Sequence, residues 1–334
     1  MEVLWFREVS KDSDVVISTR VRFARNIQGF RFPNAMGEEE ADRVIQIVKN
    51  AVNHKDFHVF ENCDIEYTNL GSLIEQHVIS KEFLEVENGA IVLNDDHSLV
   101  TMVNEEDHLR IQSFQSGLNI DLAYEKLCEF TDALNQKIPF AVSDKYGYLT
   151  ACPTNVGSGM RVSVMLHLPA LAKLGLLAEL FDQVSSIGVS IRGIYGENTK
   201  GLGDMYQISN KKTLGISDEY IISSIKAVIT TIVEQERKAR EMLKNNNLFL
   251  EDDIFRAYGI LKYARIISDE EALEQLSKLR LGCSMGIVDT VSLDKVQSLM
   301  VDTMENTLKT ILKENYTKEE EDEKRGEYIR EELK

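Results

Sequence analysis

Five arginines stand in or beside apolar stretches of this chain. They are Arg20 and Arg22 in "STRVR", Arg110 in "EEDHLRIQ", Arg161 after "CPTNVGSGM", and Arg192 in "SIRGIYGEN". A guanidinium stays charged at physiological pH, and its planar fork of donors fits phosphate oxygens. Taken singly, each arginine could snorkel to the surface or pair with a nearby carboxylate. Taken together, buried guanidiniums need anionic partners, and a nucleoside triphosphate supplies several negative charges and many acceptor oxygens. The loop Thr154–Gly159 lacks the lysine of a P-loop, so the phosphates are expected to meet arginine side chains on a sheet. Its backbone N–H groups could also approach an anion.

Two acidic spots carry the opposite sign. "NEED" (104–107) sits at a tight connection between strands, and Glu197 ends the loop that follows Arg192. Turns are often acidic because they are wet; the sharper reading is a pair of carboxylates facing a cationic substrate. Cys152 lies close by in sequence, and a thiol near arginines tends toward thiolate. As a covalent nucleophile it would want a histidine base, and none of the six histidines forms a local Cys-His signature with it. His77, in "LIEQHVIS", fits either a core position or a nucleotide contact. The four cysteines are far apart, and no HExxH or paired Cys/His spacing offers a metal site.

The elements that must hold these groups can be read from periodicity. Residues 15–23 alternate as a strand, which puts Arg20 and Arg22 on one face. Residues 38–53 read as an amphipathic helix, 90–114 as a three-stranded antiparallel meander and 121–137 as a helix. Strands are expected at 141–151 and 161–168, a helix at 169–183, and strand, glycine loop and strand over 184–210. A long helix starts at Ser217 or Asp218 and runs to about Leu243; "KNNNLFLEDD" (244–253) reads as a linker. Beyond it, 252–280 and 292–313 read as two amphipathic helices, a hairpin suited to pairing with a second copy. The highly charged last twenty or so residues read as a solvated helix or a tail.

The fold expected is therefore α+β: a large, mostly antiparallel sheet flanked by helices over 1–245, then a helical domain over 250–334. The chain has 334 residues, is 43% hydrophobic and 28% charged, and carries a net charge of −17. That balance fits a globular protein and argues against direct nucleic-acid binding through the overall field. No apolar run has membrane-spanning length, the first residues lack a signal-peptide core, and the cysteine usage suits a reducing cytoplasm.

"STRVR", "NEEDH", "CPTNVGSGMR" and "RGIYGEN" occur in the order in which they stand in the phosphagen (guanidino) kinases, and the layout most resembles the bacterial branch that phosphorylates protein arginines. The resemblance implies that Arg20, Arg22, Arg110, Arg161 and Arg192 grip ATP phosphates, with Mg²⁺ carried on the nucleotide. It also implies that His77 touches the nucleotide. The stretches Ser18, Thr19, Arg20, Val21, Arg22, then Arg161, Val162, Ser163, Val164, Met165, then Arg192, Gly193, Ile194, Tyr195, Gly196, Glu197 match its nucleotide-binding segments. Glu106 and Glu197 match the guanidinium clamp, and Cys152 the cysteine that positions the substrate. Small-molecule members carry a helical domain ahead of the first arginine motif, which begins here at Ser18; this favours a protein-arginine kinase over a small-molecule guanidino kinase or a non-catalytic adaptor. The resemblance further implies a homodimer built by the C-terminal region, a stress-response role, protein substrates with exposed arginines, a heat-shock repressor and a Clp ATPase as partners, and leaves a separate activator open. Asp322 and Arg325 match a phosphoarginine-binding motif, but Glu321 and Gly326 depart from it, and a carboxylate at 321 repels phosphate.

Overall fold

A computed structural model describes residues 5–194, 201–244, 247–314 and 316–334. The chain order begins β1 (Val16–Arg25), α1 (Glu38–Ala51), β2 (Phe57–Glu61), α2 (Tyr67–Glu75), β3 (Ala90–Asn94), β4 (Leu99–Val103), β5 (Leu109–Ser116) and α3 (Ile120–Asn135). It continues with β6 (Val142–Ser143), β7 (Gly147–Tyr148), β8 (Met160–His167), α4 (Pro169–Lys173), α5 (Leu177–Ser186), β9 (Val189–Gly193), β10 (Met205–Asn210) and α6 (Asp218–Lys244). The C-terminal helices are α7 (Asn247–Tyr263), α8 (Asp269–Ser284), α9 (Leu293–Asp302), α10 (Glu305–Leu312) and α11 (Lys318–Glu332).

Eight strands form one antiparallel sheet in the order β2-β3-β4-β5-β1-β8-β10-β9. Period-two alternation gives the sheet two different faces. One buries Val21, Phe23, Ile111, Val162, Val164 and Ile208 against Val44, Ile45 and Val48 of α1, Leu127 of α3 and Ile225 and Ile229 of α6. On the other face, Ile91, Met102 and Phe114 join Trp5, Leu73 and Phe83 at one side. Met165 and Met205 join the C-terminal helices at the other. The site lies between these two patches. Among the described residues no helix is long and apolar enough to cross a membrane.

The meander is β3-β4-β5, and its second turn works without glycine because Asn104 takes φ +62°. Asparagine visits that left-handed region more readily than other side chains. Several expected elements differ. Over 141–151 there is only the two-residue hairpin β6-β7, outside the main sheet. The helix expected at 169–183 breaks at Gly175, φ +70°, into α4 and α5. The linker expected at 244–253 is mostly the first turns of α7, because Leu250 and Ile254 insert into the C-terminal core. Both C-terminal helices of the expected hairpin are broken in two; α8 restarts at Ser268, whose hydroxyl caps Glu271 N.

The charged terminus is not a solvated tail. Thr317 and Glu320 form a capping box that starts α11, and Arg325, Ile329 and Leu333 are buried. Arg325 is 0% exposed and donates from Nε to Thr303 O (2.8 Å), from Nη1 to Ile267 O (3.0 Å) and Asp322 Oδ1 (2.6 Å), and from Nη2 to Glu321. Each of its guanidinium nitrogens therefore donates inside the protein. The phosphoarginine contact expected of Asp322 and Arg325 falls on a guanidinium that is buried and already makes four hydrogen bonds within the protein, one of them to the Glu321 carboxylate.

Candidate active site

The strand register gathers the arginines. Arg22 on β1 sits opposite Arg161 on β8, and Arg20 opposite Ser163. On the other flank Ala24 pairs with Arg110 of β5. Met165 pairs with Gln207 of β10, and Gln207 with Arg192 of β9. Following these partners across four neighbouring pairings puts Arg20, Arg22, Arg110, Arg161 and Arg192 on one face. Arg22 is only 5% exposed; Arg20, Arg110 and Arg161 are partly buried and Arg192 is exposed.

Like charges this close disturb one another. Burial, then the charges of Arg110 and Arg161, lower the Arg20 pKa to about 9. Burial and three neighbouring arginines push Arg22 well below its usual value, and burial with Arg192 and Arg110 lowers Arg161. Among the described residues, Arg20, Arg22, Arg161 and Arg192 have no carboxylate within ion-pairing distance. Arg110 differs: Glu105 pairs with its Nη1 and also accepts from Ser80 Oγ at 2.7 Å. Among the described residues, Nε of Arg110 and the buried Oγ of Ser163, on the same face, have no hydrogen-bond partner. Unpaired cations and orphaned donors on one face fit a polyanionic ligand such as a nucleotide polyphosphate.

A cleft of about 500 Å³ opens above this face, lined by Arg22, Arg110, Arg161, Glu106, Thr154 and Asn155. Glu106 is exposed at its edge. Glu106 and Cys152 are both near enough to Arg161 to favour its charged form. The Cys152 Sγ lies 3.0 Å from Thr154 Oγ1. The loop carrying it needs its glycines: Gly157 takes φ +111° and Gly159 φ +64°, and a Cβ on either would meet a backbone oxygen at 2.6 or 2.7 Å, that of Thr213 or Ala24. Thr213 Oγ1 fastens the loop to Thr154 O (2.9 Å) and Val156 O (2.7 Å).

His77 is partly buried beside Arg20; burial and that positive charge lower its pKa to about 4, so it adds no charge to the site near neutrality. Gln112 links Arg20 to the residue after His77, accepting from Arg20 Nη1 at 3.4 Å and donating to Val78 O at 3.0 Å.

Some expected nucleotide residues face away. Val21, Val162 and Val164 are in the helix-side core, and Thr19 Oγ1 donates to Gly117 O at 2.7 Å. Their strands carry arginines on the other face, so alternation removes these side chains from the cleft. Ser18, Ser163 and Met165 are on the arginine face but buried, Ile194 is buried, and Gly193 pairs with Tyr206. Tyr195, Gly196 and Glu197 lie outside the described residues.

The structure adds residues that the sequence did not single out. Asp107 is buried, and its Oδ1 accepts from Asn26 Nδ2 (2.6 Å) and Ala151 N (2.7 Å). It thus ties the glutamate turn to the residue before Cys152. Arg25 stacks 3.5 Å from the Tyr148 ring centroid and donates to Ser158 O at 2.9 Å. Asp107 stood inside the acidic run, but nothing local marked it as the member that turns inward.

Residues 39–239 match the family model described as the ATP:guanido phosphotransferase C-terminal catalytic domain, and residues 247–334 match that of the protein-arginine kinase McsB C-terminal domain. A protein-arginine kinase of Clostridium acetobutylicum is 40% identical over 99% of both chains, and one of Halalkalibacterium halodurans 39% identical over 99% of this chain and 95% of its own. Among solved structures, the duplicated taurocyamine kinase of Schistosoma mansoni with transition-state analogue components superposes with a TM-score of 0.62, at 29% identity over 69% of this chain and 34% of that one. Lombricine kinase shares the fold, with a TM-score of 0.60 at 23% identity over 71% of each chain. The chain belongs to the ATP:guanido phosphotransferase family, enzymes that move a phosphoryl group from ATP to a guanidino group, in the branch whose members carry the McsB C-terminal domain.

Proposed function

We propose that this enzyme transfers the ATP γ-phosphoryl group to arginine side chains of proteins. The observation that carries the reading is the juxtaposition in one cleft of Arg22 and Arg161, which have no carboxylate partner among the described residues, with Glu106, which has no cationic partner among them. The relatives named protein-arginine kinases, about as long as this chain, support the choice of acceptor. An arginine guanidinium is protonated near neutrality and is not a nucleophile. Glu106, with Glu197 as its partner, would hold the planar group by paired hydrogen bonds, set the angle of attack and accept the proton. Cys152 would orient the substrate from its loop without forming a covalent bond. Arg20, Arg22, Arg161 and Arg192 would take the phosphates, with Arg110 sharing its charge between them and Glu105. Among the described residues no group of three His, Cys, Asp or Glu forms a metal site. Mg²⁺ would come with the nucleotide and offset phosphate charge.

The division into a catalytic unit over 1–245 and a helical dimerisation and regulatory unit over 250–334 belongs to the same proposal. The gap between the two family matches, at 239 and 247, supports it. On α7, Leu248 (75% exposed), Phe249 (81%), Phe255 and Tyr263 stand open to solvent, which supports a homodimer through these helices. Marking of proteins for Clp proteolysis during stress in the cytoplasm, control of a heat-shock repressor, and use of a separate activator rest on the family resemblance.

Incubation with labelled ATP and either an unfolded basic protein or free arginine tests the acceptor. Label should appear on the protein, be lost in acid and survive in base. Glu106→Gln should lower transfer by about 10²- to 10⁴-fold with ATP binding retained. Acid-stable label, or free arginine outpacing protein, would refute the assignment.

A further inference from the structure

The cleft holds more negative charge than one guanidinium requires. Besides Glu106, it is lined by Glu82 and Glu85, both exposed, on the 3₁₀ turn Lys81–Glu85. Among the described residues neither has a cation within ion-pairing distance, and Lys81 beside them pairs with neither. Glu105, also in the cleft, is spent on Arg110 and Ser80. A second observation says that the cleft is built for a ligand. Arg22 lines it, is nineteen-twentieths buried at 5% exposure, and its side chain makes no hydrogen bond or ion pair with any described residue. The cleft thus has a cationic floor with an unused donor, one carboxylate at its edge suited to a guanidinium, and two carboxylates left over.

We propose that Glu82 and Glu85 form a subsite for a second basic side chain of the substrate polypeptide, so that the enzyme prefers target arginines with a lysine or arginine close by. This rests on the protein-arginine kinase reading above. A free amino acid has no neighbouring side chain to place there, so the subsite would act only on a polypeptide. A divalent cation is the weaker occupant, because no three His, Cys, Asp or Glu among the described residues come together as ligands. The attraction is between exposed groups, so it is modest and screened by salt.

The test uses the full chain, ATP and two peptides, each with a single arginine in an alanine-rich background, one with a lysine two residues away. Wild type should use the lysine peptide with a kcat/KM roughly three- to tenfold higher, the scale of two exposed ion pairs. The preference should shrink as salt is raised from about 50 mM to about 500 mM. Glu82→Gln with Glu85→Gln should bring the ratio of the two peptides close to one, and Glu82→Lys with Glu85→Lys should invert it when the neighbour is glutamate. The ratio within one enzyme divides out any general damage. Equal use of both peptides by wild type, or an unchanged ratio in the glutamine variant, overturns the subsite while leaving the kinase reading standing. If neither peptide is phosphorylated while an unfolded basic protein is, the subsite falls and the kinase reading stands; if the protein is not phosphorylated either, both fall.

Discussion

Strand β8 runs between two regions that treat arginine in opposite ways. At its start Arg161 joins Arg22 in the open cleft, and neither of them, nor Arg20 and Arg192 on the same face, has a carboxylate partner among the described residues. At its end, on the same face, His167 enters a buried network with the C-terminal helices. There Arg280, 0% exposed, donates to His167 Nδ1 (2.9 Å), Ser13 O (2.7 Å), Asp14 O (3.2 Å) and Gln297 Oε1 (3.0 Å). His167 Nε2 meets Ser277 Oγ at 2.9 Å, and Ser277 reaches Asp204 Oδ2 at 3.3 Å. Arg240 is bound by Glu236 at 2.9 Å. The difference separates arginines that hold the fold from those that await a ligand: Arg280 and Arg240 spend most of their donors on the fold, whereas the Arg22 side chain has no partner among the described residues and Arg20 and Arg161 each make one long contact, to Gln112 and Asn210 O at 3.4 Å.

The largest effect expected from breaking this contrast is on stability. Glu236 is fully buried; it accepts from Arg240 and also caps the start of α4 through Ala170 N (3.1 Å) and Leu171 N (3.0 Å). Glu236→Ala removes the nearer carboxylate of a buried cation, leaving Asp14 at 3.7 Å, and strands two backbone donors; it should cost about 3 to 5 kcal/mol in urea unfolding. Arg22→Met removes a buried cation that has no partner to lose. It should leave stability unchanged or raise it by about 1 kcal/mol, yet weaken ATP binding by roughly tenfold to a hundredfold. Equal destabilisation by both variants would erase the distinction.

Part of this was legible in the sequence. Two-residue alternation puts Arg20 beside Arg22 from local spacing alone. That Arg161, Arg110 and Arg192 join the same face depends on register between strands far apart in the chain, which no local pattern specifies. For the same reason local spacing did not separate Glu105, which neutralises Arg110, from Glu106, which only the family resemblance singled out, nor show that Asp107 turns inward to hold the Cys152 loop. The meander, the long helix α6 and the first arginine strand were legible because their periodicity is long or their turns distinct. The breaks at Gly175 and before Ser268 were not, because apolar spacing continues past them. The last helix misled for a physical reason: a run rich in charge reads as solvated until Thr303 O and Ile267 O are seen to take up Arg325.

If the cleft arginines await phosphate, a polyanion should stabilise the protein by relieving their repulsion. Tripolyphosphate, which lacks a base, should raise the melting temperature, and ATP should do so more strongly. At about a hundred times its dissociation constant, ATP adds about 2.7 kcal/mol. Arg22→Met combined with Arg161→Met should abolish the tripolyphosphate shift. Persistence of the full shift in that double variant would move the phosphate site elsewhere on the molecule.

The smallest effect is a pH dependence, and its sign distinguishes ligand contact from mere crowding. In the free protein the Arg20 pKa is lowered to about 9, well below that of an ordinary arginine, because burial and the charges of Arg110 and Arg161 disfavour its proton. An unfolded chain holds that proton through the whole interval, so above about pH 9 the unfolded state binds more protons than the native one, and this group's contribution to native stability rises with pH. Phosphate oxygens around Arg20 restore its charge, so the complex keeps the proton that the free protein sheds. ATP affinity must then fall with rising pH through the same window, by up to tenfold per unit above about pH 9, and be flat between about pH 7 and 8. Titration calorimetry with ADP, whose phosphates no longer titrate there, reads both the slope and the proton uptake. In Arg20→Met the slope should vanish. A flat affinity from about pH 8 to pH 10 in the unsubstituted protein would mean that Arg20 is crowded by its neighbours without touching the nucleotide, leaving the phosphates to Arg22, Arg161 and Arg192.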